Sequence, residues 1–143
     1  MNANVEMLNY IYQNAQMGQE TLNHIIEIAN DEHFIKMLNE QLNEYKKIFD
    51  VAEEKINNYE KPAKEISGMQ KGQAHMMISI QTLKDKTPSH ISEMLIKGST
   101  MGVIQMVRKI RQYKNVVDSD ILSLGERLLN FEKQNITNCM EFL

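Results

Sequence analysis

The chain has 143 residues, 42% apolar and 24% charged, with no Trp, six Gly and only two Pro. This length fits one domain that buries a core without disulfides or structural metal, and the scarcity of turn-formers favours helices over sheet. A net charge of −3 lacks the surplus of Lys and Arg that drives nucleic-acid affinity, and the single Cys139 excludes an intrachain disulfide and a thiolate zinc cluster.

Residues 4–30 place Leu8, Ile11, Ala15, Gly18, Leu22, Ile25 and Ala29 at steps of three and four, the apolar stripe of an amphipathic helix. Glu6, Asn9, Gln13 and Gln16 interrupt its first part, so no signal peptide is expected. No run reaches the ~20 apolar residues that span a bilayer. A lone Cys suits a reducing interior, which makes the cytoplasm the expected location.

Asn30-Asp31 supplies a stop and a new N-cap. Ile35, Leu38, Leu42, Tyr45, Phe49, Ala52, Ile56 and Tyr59 then repeat the helical spacing. Two long helices joined this tightly are expected to be antiparallel neighbours.

Pro62 marks the next break, and residues 63–86 carry a weaker stripe of Ile66, Met69, Gln73, Met76, Ile80 and Leu83, read as a further helix. Thr87-Pro88 reads as an N-cap followed by proline at the first helical position, opening a helix to about Tyr113. Its expected inner face is Ile96, Ser99, Val103, Met106 and Ile110. Asp118-Ser119-Asp120 reads as acidic cap chemistry at the N-terminus of a last helix running to the end of the chain.

Chemistry in a helix-only chain has to come from polar side chains on inward faces. These are Gln19, Gln41 with Glu44 nearer the boundary, Ser99, and Glu132 with Asn135 in a face otherwise made of Ile121, Gly125, Leu128, Cys139 and Phe142. Suppose residues 63–86 cross the length of the bundle, so that residues 88–113 run parallel to the second helix. At 1.5 Å per residue, all these groups then fall in one layer. A simple up-and-down bundle is the alternative.

One inward layer with an i, i+3 pair on two of the helices is the ligand arrangement of carboxylate-bridged di-metal bundles. On the residues Gln19, Gln41-x-x-Glu44, Ser99 and Glu132-x-x-Asn135, the chain resembles the ferritin-like superfamily. Gly72-Gln73-Ala74-His75 before Lys97-Gly98-Ser99-Thr100 also looks like small bacterial, rubrerythrin-like members whose connection is itself helical. The resemblance implies an all-α, antiparallel four-helix bundle with an additional helix in its long crossover. It also implies a metal site built from a Glu on the first and third helices and Glu-x-x-His on the second and fourth. At those positions this chain offers two carboxylates, Glu44 and Glu132, and no His. That is short of the roughly four carboxylates plus imidazoles that neutralise two divalent cations. No cofactor is therefore expected, iron or manganese held through Glu44 and Glu132 being the alternative.

The other candidates have plainer readings. Asp31-Glu32-His33 and His90-x-x-Glu93 fit helix N-termini, the eleven Met residues, including Met76-Met77 beside His75, fit core filling, and Arg108–Lys114 fits a helix C-terminus. Glu132 fits a hydrogen-bonded structural network with Asn135, Gln19, Gln41 and Tyr45. The resulting expectation is a non-enzymatic structural or interaction protein, a homo-oligomer and dimeric through Met7, Met17, Ile28 and Val51, without nucleic-acid or membrane partners. The rival is a metal-binding oxidase, ferroxidase or iron-storage bundle. A third reading is a small-molecule carrier with a pocket lined by Met106, Gln41 and Glu132.

Overall fold

Helix α1 (Ala3–Ile28) begins where the Asn2 side chain accepts a hydrogen bond from the Asn4 amide. It ends at Ala29, whose extended backbone breaks the helical path. Two residues later Asp31 opens α2 (Glu32–Asn57), its carboxylate accepting from the Phe34 amide at 2.9 Å. Helix α3 (Pro88–Tyr113) starts at the expected N-cap: Thr87 accepts from the His90 amide, and Pro88 stands where no intrahelical N–H is required. Helix α4 (Ser119–Met140) follows a short connection. The computed structural model describes residues 2–59, 80 and 82–143; among these all regular structure is helical, and no helix is long and apolar enough to cross a membrane.

Removing the Asp31 cap by Asp31→Ala orphans the Phe34 amide. A loss of about 1 kcal/mol is expected, measurable as a lowered midpoint in denaturant with an unchanged slope.

The helices associate chiefly as two pairs, α1 with α2 and α3 with α4, and the pairs meet along α1·α4, α2·α4 and α1·α3. Between α1 and α2, Tyr12 stacks on Phe49 at 4.4 Å and Gly18 faces the Tyr45 ring. Phe34 meets Phe142 and Tyr45 meets Phe131 across α2 and α4. Fully buried Phe34, Met7, Leu8, Ile11, Leu38, Ile48, Ile56, Ile91, Met106 and Ile121 fill the interior. Each such side chain contributes about 1.5–3 kcal/mol relative to exposure.

Several expectations change. Met7 and Met17 are buried, so they form no dimer seam; Met7 reaches α4, where its methyl closes on Gly125. Ile28 and Val51 are half-buried. The inward face of α3 is Ile91, Ser92, Leu95, Gly102, Met106 and Tyr113, rotated from the expected one. Ile96, Val103 and Ile110 are only half-buried. The core here accepts the small Ser92 and Gly102, which leave no apolar signal in the sequence. Asp118 occupies the α4 N-cap position without a capping side-chain bond; its amide instead donates to Asn4 Oδ1 at 2.9 Å. Leu83–Thr87 are not helical, so no helix extends to residue 86. The rest of the helix expected over 63–86, apart from the buried, helical Ile80 and Thr82 in a turn, lies outside the described residues, as do the Gly72–His75 and Met76-Met77 segments.

Candidate functional site

Glu132 is the least expected buried group in the molecule: a carboxylic acid 2% exposed in the middle of α4. Helical periodicity puts it there, seven residues after Gly125 and seven before Cys139 on the face that buries Leu128 and Asn135. The side chain fits because α3 presents Gly102 at the contact. A Cβ there would lie 2.8 Å from the Glu132 carboxyl carbon and closer still to Oε2. From α1, the Asn14 amide donates to Glu132 Oε1 at 3.3 Å. From α2, the Tyr45 phenol bonds the same carboxyl. Among the described residues no cation neutralises Glu132. Burial dominates and pushes its pKa from 4.5 to about 8, against the opposing pull of Asn14 and Tyr45.

Tyr45 is accommodated in the same manner. A Cβ at Gly18 would lie 2.6 Å from its ring, so the tyrosine seats directly on the α1 backbone. Burial, followed by the nearby Glu132 charge, raises its phenol well above the usual value. Gln41, 5% exposed, donates Nε2 to Cys139 Sγ at 3.6 Å; burial raises the Cys139 thiol. Asn135 is 2% exposed and lies against the Tyr45 phenol, where its amide opposes the rise that burial imposes on the tyrosine.

These groups border a cavity of about 80 Å³. Helix α1 supplies Asn14, Met17, Gly18, Thr21 and Leu22, α2 supplies Gln41 and Tyr45, and α4 supplies Glu132. The α3 wall is Leu95, Gly98, Ser99, Met101, Gly102 and Gln105. The space exists because Gly18, Gly98, Ser99 and Gly102 supply little or no side chain where α1 and α3 face each other. Among the described residues, no Lys, Arg or His lines it.

The residues read from the sequence as one layer distribute themselves unequally. Gln41 and Glu132 line the cavity, as does the half-buried Ser99. Asn135 is buried on the face of Glu132. Gln19 is half-buried and donates to the Ala15 carbonyl of its own helix at 3.4 Å. Glu44 accepts from Arg127 Nε at 2.9 Å and Nη2 at 2.5 Å at the α2–α4 boundary. Met106 is fully buried beside Gly125 and lines no part of the cavity, a correction that follows from its place one turn beyond Gly102, where it packs against α4.

The residues present do not fit a di-iron or di-manganese centre. One of the two carboxylates is held by a guanidinium and the other by an amide and a phenol, and a hard divalent pair demands more anionic oxygen than remains. Among the described residues no three of His, Cys, Asp and Glu converge. Asp31 serves as an N-cap, and His90 lies 3.9 Å from Glu93 on the surface.

Sequence reasoning missed Asn14, Gly18 as the seat of Tyr45, and Gly102 as the seat of Glu132. Two glycines four apart, Gly98 and Gly102, inside an uninterrupted helical stretch were the available signal, because helix interiors disfavour glycine by about 1 kcal/mol unless something needs the space. Comparison with protein-family models, curated proteins and solved structures finds no match to the chain.

Proposed function

We propose that the chain is a ferritin-like bundle in which the former metal position has become a small-molecule cavity, and that it acts by binding, without catalysing a reaction. Contact partners support the topology. On α1 and α4 they rise together: Asn4 with Asp118, Met7 with Gly125, Asn14 with Glu132. On α1 and α3 they run oppositely, Glu6 with Tyr113 and Tyr10 with Gln105, as they do on α1 and α2 and, through Lys55–Asp120 and Phe34–Phe142, on α2 and α4. Helices α2 and α3 then run in the same direction. The end of α2 and the start of α3 then lie at opposite ends of the bundle, about 39 Å apart for a 26-residue helix, which supports the ferritin-like reading over a simple up-and-down bundle.

The observation that carries the functional reading is the cavity itself. Its largely apolar lining, punctuated by a few convergent polar groups around a perturbed acid, is the pattern of a ligand site. Binding is favoured over reaction because the thiol at Cys139 is buried with a raised pKa and among the described residues no His lines the cavity, so none of them forms a nucleophile–base pair at the space.

Ligand-observed NMR with neutral and charged probes of three to six non-hydrogen atoms tests this reading. Binding is expected to wild type and to be lost in Ser99→Leu, whose side chain would fill the cavity from its α3 wall without altering a fully buried position. Elemental analysis of untagged protein after anaerobic incubation with ferrous iron provides the counter-test: two metals per chain would overturn the reading in favour of an oxidase or ferroxidase.

A further inference from the structure

The cavity's polar groups are unequal in what they can still do. Asn14 gives its amide N–H to Glu132, and Gln41 gives its own to Cys139. An amide that spends one N–H in this way keeps its second N–H and a carbonyl oxygen that only accepts. The carboxylate, when ionised, also only accepts. Residues that carry acceptor oxygens thus border the space from three helices: Asn14 on α1, Gln41 on α2 and Glu132 on α4. Met17, Leu22, Leu95 and Met101 supply the apolar remainder.

Resting on the binding reading above, we infer that the ligand is a small organic ammonium, a primary amine with a short aliphatic tail, whose –NH3+ sits among Glu132, Asn14 and Gln41. An ammonium carries a positive charge and three donors, so it can bond the Glu132 carboxylate and two further oxygens of the lining at once. It also supplies the positive charge that the described residues do not bring to Glu132. Buried carboxylates are normally paired when ionised, so a cation in the cavity would stabilise the charged form of Glu132 that burial disfavours. A carboxylate ligand would face a like charge, and a neutral alcohol could donate only once.

Size sets a further limit. A cavity of about 150 Å³ accommodates benzene, so 80 Å³ corresponds to about three to four non-hydrogen atoms, with a longer tail leaving past Met101 and Ser99. So small a ligand cannot bind tightly, and a Kd on the order of 0.1–1 mM is expected.

The test is an NMR titration of the isotope-labelled full chain at pH 8 with three isosteric probes: n-propylammonium, 1-propanol and propionate. The expected result is saturable shifts of the Asn14 and Gln41 side-chain amide signals with n-propylammonium, and binding of 1-propanol and propionate at least tenfold weaker. Glu132→Gln should reduce n-propylammonium affinity at least tenfold while leaving 1-propanol unchanged; the comparison among probes on wild type stands even if that variant does not fold. Equal binding of 1-propanol and n-propylammonium would overturn the ammonium inference and leave the cavity reading intact. Absence of binding by all three would overturn both.

Discussion

Raising the pH from about 4.5 to about 8 is expected to weaken the fold progressively through Glu132 alone. In the folded chain burial raises this carboxyl from 4.5 to about 8, so across that window the folded state keeps a proton that the unfolded state has released. Stability therefore falls as pH rises. The contribution is absent below 4.5 and fully developed above 8. A shift of that size corresponds to an upper bound of about 5 kcal/mol, a large part of the total stability of a domain this size. The groups facing Glu132 are the Asn14 amide and the Tyr45 phenol, with the Tyr10 phenol within range of its charge. Both phenols are raised by burial and by Glu132, so neither titrates within the window. Glu132→Gln should remove the slope, and the difference between wild type and variant in denaturant melts at successive pH values isolates the term from other titrating groups. Parallel curves would mean that Glu132 is not a buried, unneutralised acid.

Gly102→Ala is the second large effect, and its sign runs against helix propensity. Alanine in place of a helical glycine ordinarily stabilises by about 1 kcal/mol. Here the added methyl meets the Glu132 carboxyl, whose carbon would lie 2.8 Å away, and Glu132 is itself held by Asn14 and Tyr45. Overpacking of this kind costs about 1–3 kcal/mol, so a net loss of up to about 2 kcal/mol is expected together with loss of probe binding. In a Glu132→Ala background the obstacle is gone, and Gly102→Ala should become stabilising. That reversal, read from a double-mutant cycle, separates a specific contact from a general intolerance of α3. A destabilisation that persists without the carboxylate would sink the explanation.

The same contact explains why the site was only partly legible. Gln41, Glu132 and Asn135 were visible because each interrupts an apolar stripe at helical spacing, a pattern that a sequence displays directly. Ser99 was visible for the same reason, although its stripe was drawn a fraction of a turn away from the true inward face. Gln19 and Glu44 share the periodicity of buried positions but find partners locally, one in its own helix backbone and the other in Arg127. Periodicity cannot distinguish a boundary position with a satisfying neighbour from an inward one. Met7 and Met17 err in the opposite direction. Judged from α1 alone they lie off the stripe, but α1 is contacted by α2, α3 and α4 and buries residues around more of its circumference than one stripe describes.

By itself, the sequence determined the local features: four long helices, the Asp31 and Thr87-Pro88 starts, and an acid and amides set within apolar faces. Those follow from hydrogen bonding and side-chain spacing within a few residues, which the chain carries wherever it packs. Only the tertiary structure decided how α3 is rotated, that Gly18 and Gly102 admit Tyr45 and Glu132, and that a cavity opens between them. These depend on which backbone faces which side chain across helices, between Gly18 and Tyr45 on α1 and α2 and between Gly102 and Glu132 on α3 and α4. An absent side chain has no periodicity to read until the helix that needs its space is in position.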